Sequence, residues 1–223
     1  MKLKAMIFDL DGVLTDTAKY HFLAWKKLAD ELGMEFTEED NELLKGVSRI
    51  ESFEIILRIN NKTDAFSAEE KERLANLKND YYKEMIEQLT ESDILEGIMP
   101  FITEAQKNGI KCAVASISKN AGRVLELLGI SDKFDYIADA ALVSNPKPHP
   151  EIFLTCANAL GFEPSECIGF EDAQAGIESI AAAGMLSVGI GVAVATRKPD
   201  IELNNTAELD FEKIIKAYKS LNR

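Results

Sequence analysis

Ala5-Met6-Ile7-Phe8-Asp9-Leu10-Asp11-Gly12-Val13 is the stretch on which the reading of this chain turns. Four apolar residues in a row suit a strand buried on both faces, the kind that parallel sheets require. The run breaks at once into two aspartates and a glycine. A strand ending this way delivers carboxylates to the loop beyond its carboxyl end, where open parallel sheets bind their ligands.

Further apolar runs follow at Cys112-Ala113-Val114-Ala115, Tyr136-Ile137-Ala138, Cys167-Ile168-Gly169-Phe170 and Leu186-Ser187-Val188-Gly189-Ile190. Helical patterns separate them: Ile98 to Lys107, Gly122 to Leu128, Glu151 to Leu160 and Ala173 to Ala183, stopped by Gly109, Gly129, Gly161 and Gly184. Glycine is the expected terminator because it tolerates the left-handed backbone that closes a helix. Strands alternating with helices predict an α/β fold built on a doubly wound, Rossmann-like parallel sheet. Residues 17–90 break the alternation. They carry amphipathic helical patterns at 21–32, 38–44, 50–59 and 68–89 and no convincing strand. An all-helical cap domain inserted after the first strand is expected over 17–90, leaving 1–16 and 91–223 as the catalytic core. A final helix, Phe211 to Ser220, is expected to cover the sheet.

Composition narrows the function classes. The chain has 223 residues and a formal net charge of −13. Such a surface repels polyanions, so nucleic acid is not expected as a partner. No apolar run reaches the length of a membrane span, and the amino terminus lacks the pattern of a secretory signal. A cytoplasmic monomer acting on small molecules is the expectation. Cys112, Cys156 and Cys167 are scattered and odd in number. They read as buried small hydrophobes rather than as a metal-spaced set or a disulfide framework.

The polar residues at predicted strand ends are Asp9 and Asp11, Ser116, and Glu171 with Asp172, while Lys147 sits in a proline-rich loop, Asn145-Pro146-Lys147-Pro148-His149-Pro150. Crowded carboxylates repel one another unless a cation intervenes, and hard oxygen ligands in that number suit Mg²⁺. A carboxylate can attack phosphorus to form an acyl phosphate, splitting one difficult step into two. Asp9 is the candidate nucleophile. Asp11, two residues on, is the candidate general acid/base. Ser116 and Lys147 can grip phosphate oxygens, and the flanking prolines limit the entropy lost in placing the amine. Taken singly, each has a plainer use: a turn for the Asp-x-Asp-Gly, a helix cap for Ser116, a solvated lysine, acids favouring a helix N-terminus. The ordered set is what points to phosphoryl transfer.

That ordered set, Asp9-Leu10-Asp11-Gly12-Val13, Ser116, Lys147-Pro148 and Gly169-Phe170-Glu171-Asp172, resembles the four motifs of the haloacid dehalogenase superfamily. Within it, the segments Asp16 to His21, Leu44 to Arg49, Lys78-Asn79-Asp80 and Ala115 to Asn120 most resemble the β-phosphoglucomutase branch. The resemblance implies an isomerase interconverting β-D-glucose 1-phosphate and glucose 6-phosphate through β-glucose 1,6-bisphosphate and an aspartyl-phosphate enzyme. It implies Mg²⁺ held by Asp9, Asp11 (through its carbonyl), Glu171 and Asp172. It implies that Ser116, the backbone of Ile117, and Lys147 hold the transferring phosphate, and that Arg49, Ser118, Lys119 and Asn120 hold the second one. Thr17, His21, Trp25, Lys45, Gly46, Val47, Ser52 and Lys78 would serve cap closure or sugar contacts. Ile117 departs from the small alanine expected between the two serines. His149 is expected to have no catalytic role.

A mutase must bind a bisphosphate in two orientations, so it needs two anion sites, and it must keep water off the phospho-aspartate. The two basic and polar sets named above answer the first need. A sugar-phosphate phosphatase on the same scaffold is the alternative expectation.

Overall fold

The computed structural model describes residues 2–44, 47–192 and 196–221. Six parallel strands form one sheet: β1 (Ala5–Phe8), β2 (Lys111–Val114), β3 (Tyr136–Ile137), β4 (Cys167–Glu171), β5 (Leu186–Ile190) and β6 (Ile201–Leu203). Their order is β3-β2-β1-β4-β5-β6. The chain thus builds outward from β1 in one direction, then returns and builds outward in the other. The reversal lies between β1 and β4, and the crevice there is where such sheets bind ligands.

Among the described residues the α-helices are α1 (Ala18–Glu31), α2 (Glu38–Asn41), α3 (Arg49–Ile59), α4 (Ala68–Ile86), α5 (Ile98–Lys107), α6 (Ala121–Leu127), α7 (Glu151–Leu160), α8 (Gln174–Ala182) and α9 (Phe211–Leu221). Every residue of β1 is buried, because helices cover both faces of the sheet. Alternation along the strand sends Ala5 and Ile7 to one face, where they join Phe153 of α7 with Ile177 and Ile180 of α8. On the other face Phe8 stacks on Phe170 and meets Phe101 of α5 edge-on. The final helix reaches this layer through α5, with the Phe211 ring against Phe101.

Gly109, Gly129, Gly161 and Gly184 all lie at positive φ just past α5, α6, α7 and α8, as their positions in the sequence predict. Two elements differ from expectation. β6 carries no apolar run, only Ile201-Glu202-Leu203; it is a sheet edge and needs no fully buried strand. The helix expected over 38–44 is a single turn, α2, opened by a Thr37–Asp40 capping box and followed by a 3₁₀ turn at Glu42–Leu44.

Chain contacts divide the molecule into two compact units, Met1–Asp16 with Leu89–Arg223, and Thr17–Gln88. The first contains the sheet with α5 to α9. The second contains α1 to α4 and, among its described residues, no strand. Its core is formed by Trp25, Leu28, Phe36, Phe53, Leu57 and Leu74. Among the described residues no helix is long and apolar enough to cross a membrane.

Gly97 starts α5 at φ +86°, and a Cβ there would stand 2.3 Å from the Thr206 carbonyl oxygen. Gly109 has φ +73° but open space around it. Gly109→Ala should therefore cost only the left-handed penalty of about 1–2 kcal/mol. Gly97→Ala should cost roughly 1–3 kcal/mol more, from the overpacking. Urea unfolding of both variants checks this; equal midpoints would contradict it.

Candidate active site

The carboxyl ends of β1, β2 and β4 converge by register. Phe8 lies opposite Val114 and Phe170, and the Asp9 N–H donates to the Phe170 carbonyl at 2.9 Å. Asp9 and Glu171, the next residues along, therefore leave the sheet side by side. The chain after Asp9 turns sharply: the Leu14 N–H donates to the Leu10 carbonyl and the Gly12 N–H to the Thr15 carbonyl. Gly12 takes φ +80°, and a Cβ on it would lie 2.3 Å from Asp172 Oδ2. The turn carrying Asp11 thus passes directly against the Asp172 carboxylate. Gly176 does the same service for Glu171, whose carboxyl carbon sits 2.0 Å from where a Cβ would be.

Lys147 is driven into this cluster. Its Nζ donates to Asp9 Oδ1 at 2.5 Å and to Glu171 Oε2 at 2.7 Å, with its side chain 2% exposed. Burial alone would lower the lysine pKa; the Asp9 and Glu171 charges outweigh it and hold the pKa above the ordinary value. Burial, then the Asp9 charge, push the Glu171 carboxyl well above the usual range despite Lys147. Single oxygens of Asp9, Glu171 and Asp172 lie within 4.8 Å of one another, a hard, anionic donor set that fits a divalent cation such as Mg²⁺.

Ser116, buried two residues past Val114, accepts the Ser118 N–H on its Oγ at 3.1 Å. Ser118 Oγ accepts in turn from the Asn120 N–H. These two side-chain-to-backbone turns shape the chain between β2 and α6. Ile117 is half-buried and packs its side chain against the apolar layer that contains Ile7 and Ala115. Lys119 is exposed and Asn120 buried.

The helical unit holds its own cluster. Lys78 Nζ contacts His21 Nδ1 at 2.7 Å and lies 4.8 Å over the Trp25 ring. An ammonium can only donate, so Nδ1 accepts and the imidazole is neutral. Burial, then the charges of Lys78 and Arg49, lower the His21 pKa well below its usual value. His21 stacks on Tyr82, whose hydroxyl donates to Thr17 Oγ1. Thr17, His21, Trp25 and Lys78 are thus brought together. Trp25 also stacks on Phe53 in the core of this unit. Ser52 donates its hydroxyl to the Ser48 carbonyl and Val47 is half-buried. Arg49 is held by Asn76 and Asn79 across the helix pair α3 and α4. Lys45 and Gly46 lie outside the described residues.

Sequence reasoning missed Tyr82, Asn76 and Glu151. Tyr82 was within reach, being four residues after Lys78 on one helix face. Asn76 carries no signal of its own. Glu151 spans the loop that carries Lys147, accepting the Ser144 and Asn145 N–H groups. His149 is a loop contact, its Nδ1 accepting the Glu151 N–H.

Lys147→Met would leave Asp9 and Glu171 buried without their cation. Breaking such a pair costs about 3–5 kcal/mol. The loss should be largest at neutral pH in metal-free protein. A carboxyl whose folded pKa is raised takes up protons more readily when folded, so acidification should restore stability to the variant. Urea melts at neutral and acidic pH test this; a pH-independent deficit would contradict the assignment.

The chain matches the family model of haloacid dehalogenase-like hydrolases over residues 3–184. It is 42% identical to the β-phosphoglucomutase of Bacillus subtilis (strain 168), over 94% of this chain and 93% of that protein. It is 28% identical to a phosphorylated carbohydrates phosphatase of Thermotoga maritima, over 98% of this chain and 100% of that one. A crystal structure of β-phosphoglucomutase from Clostridium difficile superposes with a TM-score of 0.95 at 49% identity, covering 98% of both chains. The strand order, the carboxylates gathered around a buried lysine and this end-to-end similarity agree: the chain belongs to the haloacid dehalogenase-like hydrolase family.

Proposed function

We propose that this enzyme is a β-phosphoglucomutase, interconverting β-D-glucose 1-phosphate and glucose 6-phosphate through β-glucose 1,6-bisphosphate. The observation that carries the reading is similarity to β-phosphoglucomutases along essentially the whole chain, at 42% and 49% identity, in a protein that keeps Asp9, Glu171, Asp172 and Lys147 clustered.

In this reading an Asp9 carboxylate oxygen attacks phosphorus of the bisphosphate. The new oxygen–phosphorus bond makes an acyl phosphate while the bond to the sugar oxygen breaks, and the Asp11 carboxyl gives that oxygen its proton. In the second half, Asp11 takes the proton of the other sugar hydroxyl as it attacks the phospho-aspartate. Lys147, already at Asp9 Oδ1, the Ser116 hydroxyl and the Ile117 N–H would hold the transferring oxygens. Asp9, Glu171, Asp172 and the Asp11 carbonyl would hold Mg²⁺, which supplies charge neutralisation between an anionic nucleophile and an anionic phosphate. Arg49, Ser118, Lys119 and Asn120 are the proposed ligands of the second phosphate. Thr17, His21, Trp25, Lys45, Gly46, Val47, Ser52 and Lys78 are the proposed sugar-binding and cap set. The neutral His21 beside the Lys78 ammonium offers a ring N–H donor and a fixed positive charge for an anionic substrate.

The similarity to the Thermotoga maritima phosphatase favours one second reading, hydrolysis of a sugar phosphate. The fate of phosphate separates the two. With Mg²⁺, β-glucose 1-phosphate and a trace of bisphosphate, ³¹P NMR should show glucose 6-phosphate appearing, and Asp9→Asn should abolish it. Stoichiometric free phosphate without isomer would instead establish hydrolysis.

Arg49→Ala should weaken use of the bisphosphate by about 10-fold or more, the worth of a lost charge-assisted contact, while transfer from a small acyl-phosphate donor is largely spared. Equal losses with both donors in steady-state kinetics would remove Arg49 from the second phosphate.

A further inference from the structure

The loop from Ser144 to Glu151 carries Lys147, the amine that meets the carboxylate cluster among the described residues. Prolines at 146, 148 and 150 remove three of its backbone N–H groups, so the loop has few donors with which to hold its shape. Two of the remaining backbone donors, at Ser144 and Asn145, converge on its last residue. Glu151 Oε1 accepts the Ser144 N–H at 2.7 Å, and Oε2 accepts both the Asn145 N–H at 3.0 Å and the Asn145 side-chain amide at 2.7 Å. Inside the loop the His149 N–H donates to the Pro146 carbonyl, and the exit is pinned by Ser179 of α8, whose hydroxyl donates to the His149 carbonyl at 2.7 Å. Glu151 is the first residue of α7, so its carboxylate is anchored on a rigid element and also favoured by the helix N-terminus. Its pKa is lowered chiefly by the Ser144 and Asn145 hydrogen bonds, so it is ionised across the neutral range.

We propose that Glu151 is a positioning residue for phosphoryl transfer: its carboxylate ties the entry of the 144–151 loop to the start of α7 and so holds Lys147 at Asp9 and Glu171. Glu151 makes no contact with the carboxylates itself; it acts through the loop. Cutting the tie frees the entering leg at Ser144 and Asn145 while Ser179 still holds the exit. Lys147 lies between those two points. The inference rests on the assignment of Lys147 as the phosphate-gripping amine, and deepens it.

The test reads Lys147 directly, without turnover. In the wild type its amine is buried and doubly paired, so a limiting amine-acylating reagent should leave it unlabelled while the exposed Lys213 reacts. Glu151→Ala should raise Lys147 labelling, measured by peptide mass spectrometry against Lys213, by about 10-fold or more through local opening of the loop. Cys112 and Cys167 serve as the control for opening of the whole unit. Both are buried, and burial pushes their thiols up to about 12, so they alkylate only when the core opens. They should stay protected in the variant. Glu151→Gln should fall between, because its single carbonyl oxygen can accept from only one side of the tie. In the same Mg²⁺-loaded preparations, kcat should fall by about 10-fold in Glu151→Ala, as expected for a displaced catalytic group. Unchanged Lys147 labelling, thiols and lysine exposed together, or a wild-type kcat in Glu151→Ala would each overturn the proposal. Because labelling is read without substrate, a failure of the mutase reading in the phosphate-fate experiment leaves this outcome separately legible.

Discussion

Everything at the mouth of this sheet is arranged around one ammonium buried between two carboxylates. Lys147 meets Asp9 and Glu171 with almost no access to water, a placement tolerable only because charge is compensated on both sides. The contact joins three distant stretches of chain: the end of β1, the proline-rich loop before α7, and the end of β4. It also explains two glycines. Side chains at 12 and 176 would occupy the space taken by the Asp172 and Glu171 carboxylates. The acids thus stand where they do because neighbouring backbone gives way to them.

The sheet supplies the rigidity this arrangement needs. A parallel ladder with β1 at its centre, helices on both faces and aromatic rings stacked beneath Asp9 leaves the strand ends little freedom. The gathered oxygens of Asp9, Glu171 and Asp172 form a donor set that suits a divalent cation. The convergence of Asp9, Glu171, Asp172 and Lys147 follows from the order of strands more than from any single residue.

The helical unit uses a different strategy. It builds its polar cluster on α1 and α4 with rings as the packing material: Trp25 and Tyr82 flank the Lys78 ammonium, and His21 is kept neutral beside it. Arg49 donates to two asparagine side-chain carbonyl groups, with the Asp80 charge also acting on it.

The sequence alone determined the elements whose signals are local. An apolar run breaking into Asp-x-Asp-Gly, helices stopped by glycine, and a block of helical periodicity between them are all readable because backbone geometry depends on neighbours a few residues away. The acids, Ser116 and Lys147 were legible as a set for the same reason: each follows or precedes a recognisable element. What only the tertiary structure decided are partnerships across the chain. β6 has no sequence signal because an edge strand needs no apolar run. That Lys147 meets Asp9 from 138 residues away, and that Asn76 and Asn79 on one helix hold Arg49 on another, depends on which strands and helices lie side by side. Hydrogen bonds and ion pairs of that reach are set by topology, and no window along the chain contains both partners.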